Sequence, residues 1–397
     1  MTAYEDWILA TRPSPQTPIV EDQPRPTPQR VGADVEQMKA VARDLSARTT
    51  AARVAAKRSW APHLDPEGPP SGYVPRGTSI LRDGDGNVRL VWSKTTRDAD
   101  PYELGEQVAA GLVAGGLEAI PELPPPSVLC EDLLSVYPLG DPHIGLYTWA
   151  AECGESFDLD IAERQYLAVA SRLLPRAPLG SDALLIDLGD FFHADDPQYR
   201  TSSGRNTVDV DSRYERVVTV GIRIMATLIR AALVQHRHVT LWCLRGNHDD
   251  RSTLTLREAM RGLFASNPRV TIDATPGKHH AMVFGQSLIV ASHGDTLRGK
   301  RGRTLHEIVT TDYRKEWGAT THARGYVGHV HHESVVEVGG MTTETFRTLA
   351  PKDAWHHAQG YRSGRDVRLD VWHREHGLHT RHIASMSEIQ QAMEVDR

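Results

Sequence analysis

The hydrophobic pattern of the chain changes near residue 126, and beyond that point short apolar runs alternate with longer amphipathic segments. Core strands are predicted at 133–139, 183–188, 239–244 and 288–291. Each run is short and bounded by polar or turn-forming residues, as buried strands are. Residues 160–174 and 211–236 are predicted as helices, and an Asp is expected to cap the second of them. Strands that alternate with helices predict an α/β fold.

The region before residue 126 lacks this alternation. Prolines dominate a polar stretch at 11–33, apolar residues recur at helical spacing between 34 and 60, and alternating residues flank a DGDGN turn at 78–93. These patterns predict an extended arm, a helix and a β-hairpin. We therefore predict an arm at 1–33, a small α+β region at 34–126 and a main domain at 127–397 that includes a C-terminal extension.

The composition is typical of a soluble globular protein, with 40% hydrophobic and 24% charged residues and a net charge of -6. This balance excludes a globally basic, nucleic-acid-coating surface and leaves only local patches for that purpose. Charges break the apolar runs well before the roughly 18 residues of a membrane span. The N-terminus also lacks the basic start and longer apolar stretch of a secretory signal. We therefore expect a cytoplasmic protein without a membrane partner.

Polar motifs follow the predicted strands. The motifs are GDPH at 140–143, GDFFH at 189–193, GNHD at 246–249, SHGD at 292–295 and GHVH at 328–331. The carboxyl ends of the strands of an α/β sheet form one rim, so these motifs are expected to converge. The three cysteines form no CxxC pair, which leaves carboxylates and the 20 histidines to hold a metal. Such donors suit Mn, Fe or Zn, and two such ions can clamp the oxygens of a phosphoryl displacement.

This order of motifs resembles the calcineurin-like metallophosphoesterase superfamily over roughly residues 133–338. The resemblance implies a four-layer α/β sandwich, in which two mixed sheets are flanked by helices. It also implies two divalent metal ions, with Mn expected and Fe, Zn or Mg as alternatives, and a bridging hydroxide that attacks phosphorus. By the same resemblance, Asp141, His143 and His331 hold the first metal, Asp190 bridges, and Asn247, His293 and His329 hold the second.

The resemblance also suggests catalytic residues around the metals. His248 is expected to contact the phosphate and protonate the leaving oxygen, and Asp249 to orient His248. GDFFH resembles the second motif of DNA double-strand-break repair exonuclease subunits, which makes His193 an active-site accessory. The whole chain is similar to phage- and prophage-encoded members of the superfamily, which are inferred to act in DNA metabolism. It departs from the repair exonucleases in lacking evident capping and coiled-coil-linking parts.

Two further segments combine cations with aromatic residues. The insert at 195–210 carries Tyr199, Arg200 and Arg205, and the segment at 346–365 carries Arg347 and Arg362 among aromatic residues. Basic side chains can hold phosphates and aromatic rings can stack on bases, so both segments are candidate substrate-binding regions. A solvated surface loop and a core aromatic group with a charged rim remain the alternatives.

Three functions follow from these patterns. The first is an exonuclease-like DNA nuclease, located in the host cytoplasm if the chain is phage-encoded. The second is a phosphatase or phosphodiesterase for small nucleotides or phosphoproteins. The third is a binding module that works through the N-terminal 120 residues, for which an inert metal site would be expected.

Overall fold

The computed structural model describes residues 73–82, 88–97, 124–127, 129–297 and 299–395. Strands β1 (Tyr73–Arg82) and β2 (Val88–Arg97) pair antiparallel, with Ile80 opposite Val91. The predicted N-terminal hairpin is therefore confirmed. Its DGDGN turn, the predicted arm and the predicted helix between 34 and 60 lie outside the described residues.

The remaining strands and helices lie between residues 133 and 395. The strands are β3 (Leu133–Leu139), β4 (Asp182–Asp187), β5 (His238–Cys243), β6 (Val270–Ile272), β7 (His279–Phe284), β8 (Ser287–Ser292), β9 (His322–Val327), β10 (Ser334–Val338), β11 (Met341–Thr345), β12 (Asp366–His373) and β13 (Gly377–Ser385). The helices are α1 (Ala150–Cys153), α2 (Leu159–Leu173), α3 (Tyr214–Gln235), α4 (Ser252–Leu263), α5 (Arg301–Asp312), α6 (Arg314–Gly318), α7 (Ala354–Ala358) and α8 (Met386–Val395). A short 3-10 helix, Leu174–Arg176, extends α2.

The strands form two mixed sheets. The six-stranded sheet has the order β13-β12-β3-β4-β5-β6, with β3 to β6 parallel and β12 antiparallel to β3. The five-stranded sheet has the order β10-β11-β9-β8-β7, with a parallel centre and an antiparallel strand at each edge. The predicted C-terminal extension therefore supplies two strands of the larger sheet.

Three apolar cores separate four layers. Between the sheets, Ile186 and Trp242 of the larger sheet lie in one cluster with Ile289 and Tyr326 of the smaller sheet. The outer face of the larger sheet packs against α2, α3, α4 and α8, and the outer face of the smaller sheet packs against α5. This helix–sheet–sheet–helix arrangement confirms the predicted four-layer α/β sandwich.

The helix starts show one error of the sequence prediction. Helix α2 has an Asp cap, because Asp158 Oδ1 accepts the N–H of Ile161 at 2.7 Å. Helix α3 follows Arg213, which makes no side-chain cap, so the Asp cap expected there was wrong. Asp211 instead accepts the N–H of Leu159 at 3.2 Å, at the start of α2.

Among the described helices, α3 is the one that is long and apolar enough to cross a membrane by length and composition. Most of that apolar stretch is buried inside the protein, and Arg223 and Arg230 interrupt it. Its side chains belong to the core on the outer face of the larger sheet. Helix α3 is thus a core helix of the sandwich.

Candidate metal centre

The seven residues predicted as metal ligands all follow a strand and meet at one rim of the two sheets. They are Asp141 and His143 after β3, Asp190 after β4, Asn247 after β5, His293 after β8, and His329 and His331 after β9. Strands β3, β4 and β5 belong to the larger sheet and β8 and β9 to the smaller one. The centre is therefore assembled from both sheets, at the carboxyl ends of parallel strands, where ligands bind in α/β proteins.

The backbone of the centre is strained. Seven non-glycine residues of the described chain have a left-handed φ, and all seven are residues that the sequence singles out. Five are predicted metal ligands: Asp141 at 44°, His143 at 47°, Asp190 at 52°, His331 at 55° and His329 at 72°. Each such conformation costs on the order of 1–3 kcal/mol and persists only where the surroundings enforce it. Clustered strain of this kind is characteristic of functional sites.

Two glycines allow the loops that carry the candidate ligands to approach one another closely. A Cβ on Gly246 would lie 1.9 Å from Asp190 Oδ1, and a Cβ on Gly189 would lie 2.7 Å from His293 Nδ1. Gly189 also has a φ of +90°, which a residue with a side chain rarely adopts. The glycines of the GD and GN motifs thus make room for the side chains of the centre.

The first cluster contains Asp141, His143 and His331, whose potential ligand atoms lie within 4.8 Å of one another. His143 Nε2 and His331 Nε2 are 3.1 Å apart, and Asp141 Oδ1 is 3.5 Å from His331 Nε2. The Asp141 carboxylate accepts the N–H of His329 at 2.8 Å. Thr348, which sequence reasoning missed, donates its hydroxyl to the Asp141 carbonyl at 2.6 Å and fixes the strained turn.

The second cluster contains Asp190, His293 and His329, also within 4.8 Å. His293 Nδ1 donates to the Leu188 carbonyl at 2.8 Å, which turns Nε2 towards Asn247 Oδ1 at 3.0 Å and Asp190 Oδ2 at 3.3 Å. A hydrogen bond on one ring nitrogen fixes which nitrogen is free for a metal. The two clusters adjoin, because the N–H of His143 bonds to the Asp190 carbonyl at 3.0 Å.

The donor set fits divalent cations. His143 presents Nδ1 to His193 Nδ1 at 3.2 Å and Nε2 to His331 Nε2 at 3.1 Å, so both of its nitrogens face other imidazoles. A neutral imidazole has one donor and one acceptor nitrogen, and two imidazole nitrogens held close together beside a carboxylate can serve as ligands of one cation. Carboxylate, amide oxygen and imidazole together are the ligands that Mn, Fe and Zn accept.

The pKa shifts favour the neutral, metal-binding form at some histidines of the centre and the protonated form at His293, which would have to release a proton to bind a metal. Burial lowers the pKa of His143, and the nearby His248 and His331 lower it further, which favours the neutral form that binds metal. Burial alone would lower the pKa of His293, but the charge of Asp190 and its hydrogen bond raise it to about 10. Burial also lowers the pKa of His329, with smaller contributions from His293 and Arg301.

The structure corrects the role expected for Asp249. The Asp249 carboxylate is buried and accepts backbone N–H groups of Asp190 at 3.2 Å, Phe192 at 3.0 Å and Gly246 at 3.1 Å. His248 Nδ1 lies instead 2.8 Å from the carbonyl oxygen of His193. Asp249 therefore holds the two ligand-bearing loops together, and the His193 carbonyl orients His248.

His193 itself lies inside the centre. Its ring stacks on His248 with centroids 5.3 Å apart, and its Nδ1 faces His143. Burial lowers the pKa of His193 to about 3, and the nearby His248 adds to that shift. His193 is therefore neutral, and its Nε2 is buried without a hydrogen-bond partner among the described residues.

The predicted substrate residues lie around the centre but are mostly engaged with the protein itself. Arg200 and Arg205 contact Asp196 Oδ2 at 2.9 Å and 3.2 Å, and Tyr199 forms the turn between them and Asp196. In the C-terminal segment, Arg347 pairs with two carboxylates, those of Glu333 and Asp366. Arg362 donates to the carbonyl oxygens of His357 and Tyr361.

One cavity and one group of aromatic rings border the two clusters of candidate ligands. A cavity of about 600 Å³ is lined by Ser203, Asn206, Asn247 and His329, beside the second cluster. On the opposite side, the ring of His356 stacks on His331 at 5.3 Å. The exposed rings of Trp355 and Tyr361 lie next to His356.

The sequence analysis did not identify one basic segment near the centre. Lys300, Arg301 and Arg303 lie at the start of α5, seven to ten positions after His293. Their charges were visible as a GKRGR run soon after the SHGD motif. The sequence did not show that these cations lie next to the GHVH segment in the fold. Val330 and His332 line one cavity together with them.

No family model matches the chain, and no curated protein matches it. Solved structures share low similarity with it. A predicted phosphoesterase from Streptococcus pneumoniae TIGR4 has 12% identity and a TM-score of 0.27, over 64% of this chain and 99% of that one. Vps29 from Entamoeba histolytica complexed with zinc has 11% identity and a TM-score of 0.28 over the same shares. A 5'-nucleotidase from Candida albicans SC5314 has 10% identity and a TM-score of 0.33, over 68% and 55%. We therefore argue the function from the chain's own residues.

Proposed function

We propose that the chain is a dinuclear-metal phosphodiesterase that acts on DNA as an exonuclease-like nuclease. The observation that carries this proposal is the meeting of two metal-binding clusters at one rim, each containing one carboxylate and two imidazoles. Asp141, His143 and His331 would hold one ion, and His293, His329 and Asn247 the other, with Asp190 between them. Manganese is proposed because the donors mix carboxylate with imidazole.

Two bound divalent cations supply Lewis acidity, which lowers the pKa of water and offsets charge on the phosphate. The chain's own residues position the substrate and move the proton. His248 Nδ1 donates to a carbonyl oxygen, which can only accept, so that nitrogen retains its proton. Nε2 is then the atom of His248 that, in the doubly protonated imidazolium form, gives its proton to the leaving oxygen and leaves a neutral ring protonated at Nδ1.

DNA is favoured as the substrate by the surface around the centre. Trp355 and Tyr361 are 59% and 42% exposed, which is high for aromatic side chains, and they adjoin the ligand His331 through His356. Exposed rings beside a phosphate-binding centre suit the stacking of bases in a single strand. The cavity beside His329 is open and polar, which suits a polymer that passes across the site.

A second candidate, a phosphodiesterase or phosphatase for small nucleotides, is favoured by a different observation. Arg200 and Arg205 both contact Asp196, so the loop over the second cluster is partly neutralised. A small substrate with one phosphate would need no additional cations there. The two candidates share the metal centre and differ only in how far the substrate extends.

The testing experiment compares end-labelled single- and double-stranded DNA with bis-p-nitrophenyl phosphate in the presence of Mn, with an Asp190→Ala control. We expect wild type to degrade DNA from an end and the control to be inactive on every substrate. Hydrolysis of the small diester alone would favour the second candidate. Inactivity of wild type on all three substrates would contradict a nuclease and a phosphodiesterase, and would leave only a phosphatase, which p-nitrophenyl phosphate tests.

A further inference from the structure

A second cavity, separate from the metal clusters, opens between the start of α5 and the β10–β11 hairpin. It has a volume of about 350 Å³ and is lined by Lys300, Arg301, Arg303, His332 and Thr343, among others. We call it the basic cavity. Val330 and His332 also line it, so it directly adjoins the segment that carries the ligands His329 and His331.

The cations of the basic cavity form no ion pair within the described part of the chain. Among the described residues, no carboxylate pairs with Lys300, Arg301 or Arg303, and the first turn of α5 contains no acidic residue. Lys300 and Arg303 are exposed, while Arg301 is partly buried and its Nε has no hydrogen-bond partner among the described residues. A cavity lined by three cations that pair with no described carboxylate attracts an anion.

The backbone at this position also favours an anion. Helix α5 begins after Lys300 without a side-chain cap, so its first N–H groups have no side-chain acceptor. Helices α3 and α4 also begin without a side-chain cap, whereas α2 and α7 begin with Asp caps. Lys and Arg at a helix N-terminus oppose the helix dipole, and a bound anion would stabilise both the dipole and the side chains.

An independent observation comes from the opposite wall of the basic cavity. Thr343 on β11 is only 4% exposed, and its Oγ1 has no hydrogen-bond partner among the described residues. Buried hydroxyls are normally hydrogen-bonded, so an orphaned one that lines a cavity indicates a missing acceptor. Oγ1 is itself shielded from solvent, so a rotation of the Thr343 side chain would bring this hydroxyl to a phosphate oxygen in the basic cavity.

We propose that the basic cavity binds a phosphate of a polynucleotide strand, next to the phosphodiester held at the metal centre. This proposal rests on the proposed function, because it assigns the substrate class of the same site. A polynucleotide carries phosphates on both sides of the scissile bond, whereas a small diester carries one. The basic cavity therefore distinguishes a nucleic-acid strand from a small phosphoester.

The test measures binding of a fluorescent single-stranded oligonucleotide to the full chain in EDTA, where no cleavage occurs, over a series of salt concentrations. The variant is Lys300→Gln/Arg303→Gln, and the matched control is Arg314→Gln/Lys315→Gln, which removes two exposed charges on α6. Each phosphate contact contributes about -0.7 to the slope of log K against log salt for single strands. We expect the cavity variant to make the slope shallower by about 1.4, and the control to leave it unchanged.

Thr343→Val tests the buried hydroxyl with little change in shape. We expect it to weaken oligonucleotide binding about threefold to tenfold without lowering the thermal midpoint, because the protein itself makes no use of the hydroxyl. Unchanged binding together with raised stability would mean that the hydroxyl has no ligand and would count against the site.

Three results would overturn the proposal: no measurable binding by wild type, equal slopes for cavity and control variants, or binding of inorganic phosphate as tight as that of the oligonucleotide through the same residues. The last result would make the basic cavity a simple anion site. Hydrolysis of bis-p-nitrophenyl phosphate with Mn is measured separately. Its absence in wild type would contradict the metal centre, whereas the binding result in EDTA would still decide the basic cavity.

Discussion

Two basic segments border the same metal centre, and they differ in how their charges are paired. In the 195–210 insert, Arg200 and Arg205 both contact Asp196, which is itself largely buried. At the start of α5, Lys300 and Arg303 are exposed and pair with no carboxylate of the described chain. From the sequence, the first segment is the stronger candidate for binding nucleic acid, because it combines Arg with Tyr and Asn. The arginines of the insert are paired and the cations at the start of α5 are not, which favours the start of α5 as the segment that would hold a phosphate.

If both segments serve one centre, removal of that centre should abolish activity on every substrate. Asp190→Ala should reduce turnover of the small diester and of DNA on the order of a thousandfold or more, because it removes the carboxylate between the two clusters. Bound Mn, measured by elemental analysis, should fall while the circular dichroism spectrum is retained.

The control for this change is Asp182→Ala at the opposite end of β4, where the carboxylate pairs with Arg237. That variant should retain metal and turnover. Near-normal activity of Asp190→Ala in excess Mn would show that the ligand assignment is wrong.

A smaller loss of turnover is expected when only the proposed proton donor, His248, is removed. His248→Ala should lower the turnover number about a hundredfold to a thousandfold for both substrates, while both metals stay bound, since general acid catalysis contributes about this much. His376→Ala, an exposed histidine beyond the far end of the larger sheet, is the matched control. Loss of metal from His248→Ala would instead identify His248 as a ligand.

The aromatic side of the centre should matter for DNA only. Trp355→Ala should weaken single-stranded DNA about tenfold, as expected for one lost stacking contact, and change small-diester turnover little. Trp355→Phe keeps a ring and should retain most of the binding, measured by fluorescence anisotropy. Equal losses on both substrates would show that Trp355 supports the centre rather than the strand.

The smallest effect is expected from a change in the 195–210 insert, whose arginines are paired with Asp196. Asp196→Asn should release the guanidinium groups of Arg200 and Arg205, tighten DNA binding about threefold and make its salt dependence steeper. Arg200→Gln/Arg205→Gln should do much less than the change at Lys300 and Arg303. If the insert variant caused the larger loss, the roles of the two segments would be reversed.

The sequence predicted the strand ends and the convergence of the candidate ligand residues because each motif is local. A run of apolar residues that ends in GD or GNHD is visible within ten positions, and the strand bounds at β3 and β4 agree closely with the prediction. The left-handed φ values at seven predicted site residues were not predicted, although these are the most distinctive backbone feature of the described chain. Such strain is imposed by contacts such as those of Asp249 and Thr348, which come from distant segments.

The role of Asp249 illustrates why the remaining contacts of the site could not be predicted from the sequence. Its partners are backbone N–H groups of Asp190, Phe192 and Gly246, and a backbone group leaves no signature in residue type. The basic cavity was missed for a related reason. The charges at 300–303 were readable, but their closeness to His332 and Thr343 depends on the packing of α5 against the β10–β11 hairpin.

Because each cluster draws residues from both sheets, a cation bound there would act as a further cross-link between two layers that meet through an apolar core and through buried ion pairs of Glu344 with Arg368 and Arg381. Asp141 and His143 follow a strand of the larger sheet, and His331 follows a strand of the smaller sheet. In the second cluster, Asp190 of the larger sheet lies opposite His293 of the smaller sheet. A ligand present at a hundred times its dissociation constant stabilises the folded state by about 2.7 kcal/mol. Metal supply would then govern how firmly the two halves of the sandwich stay docked, and chelation would loosen the molecule along the plane between its sheets.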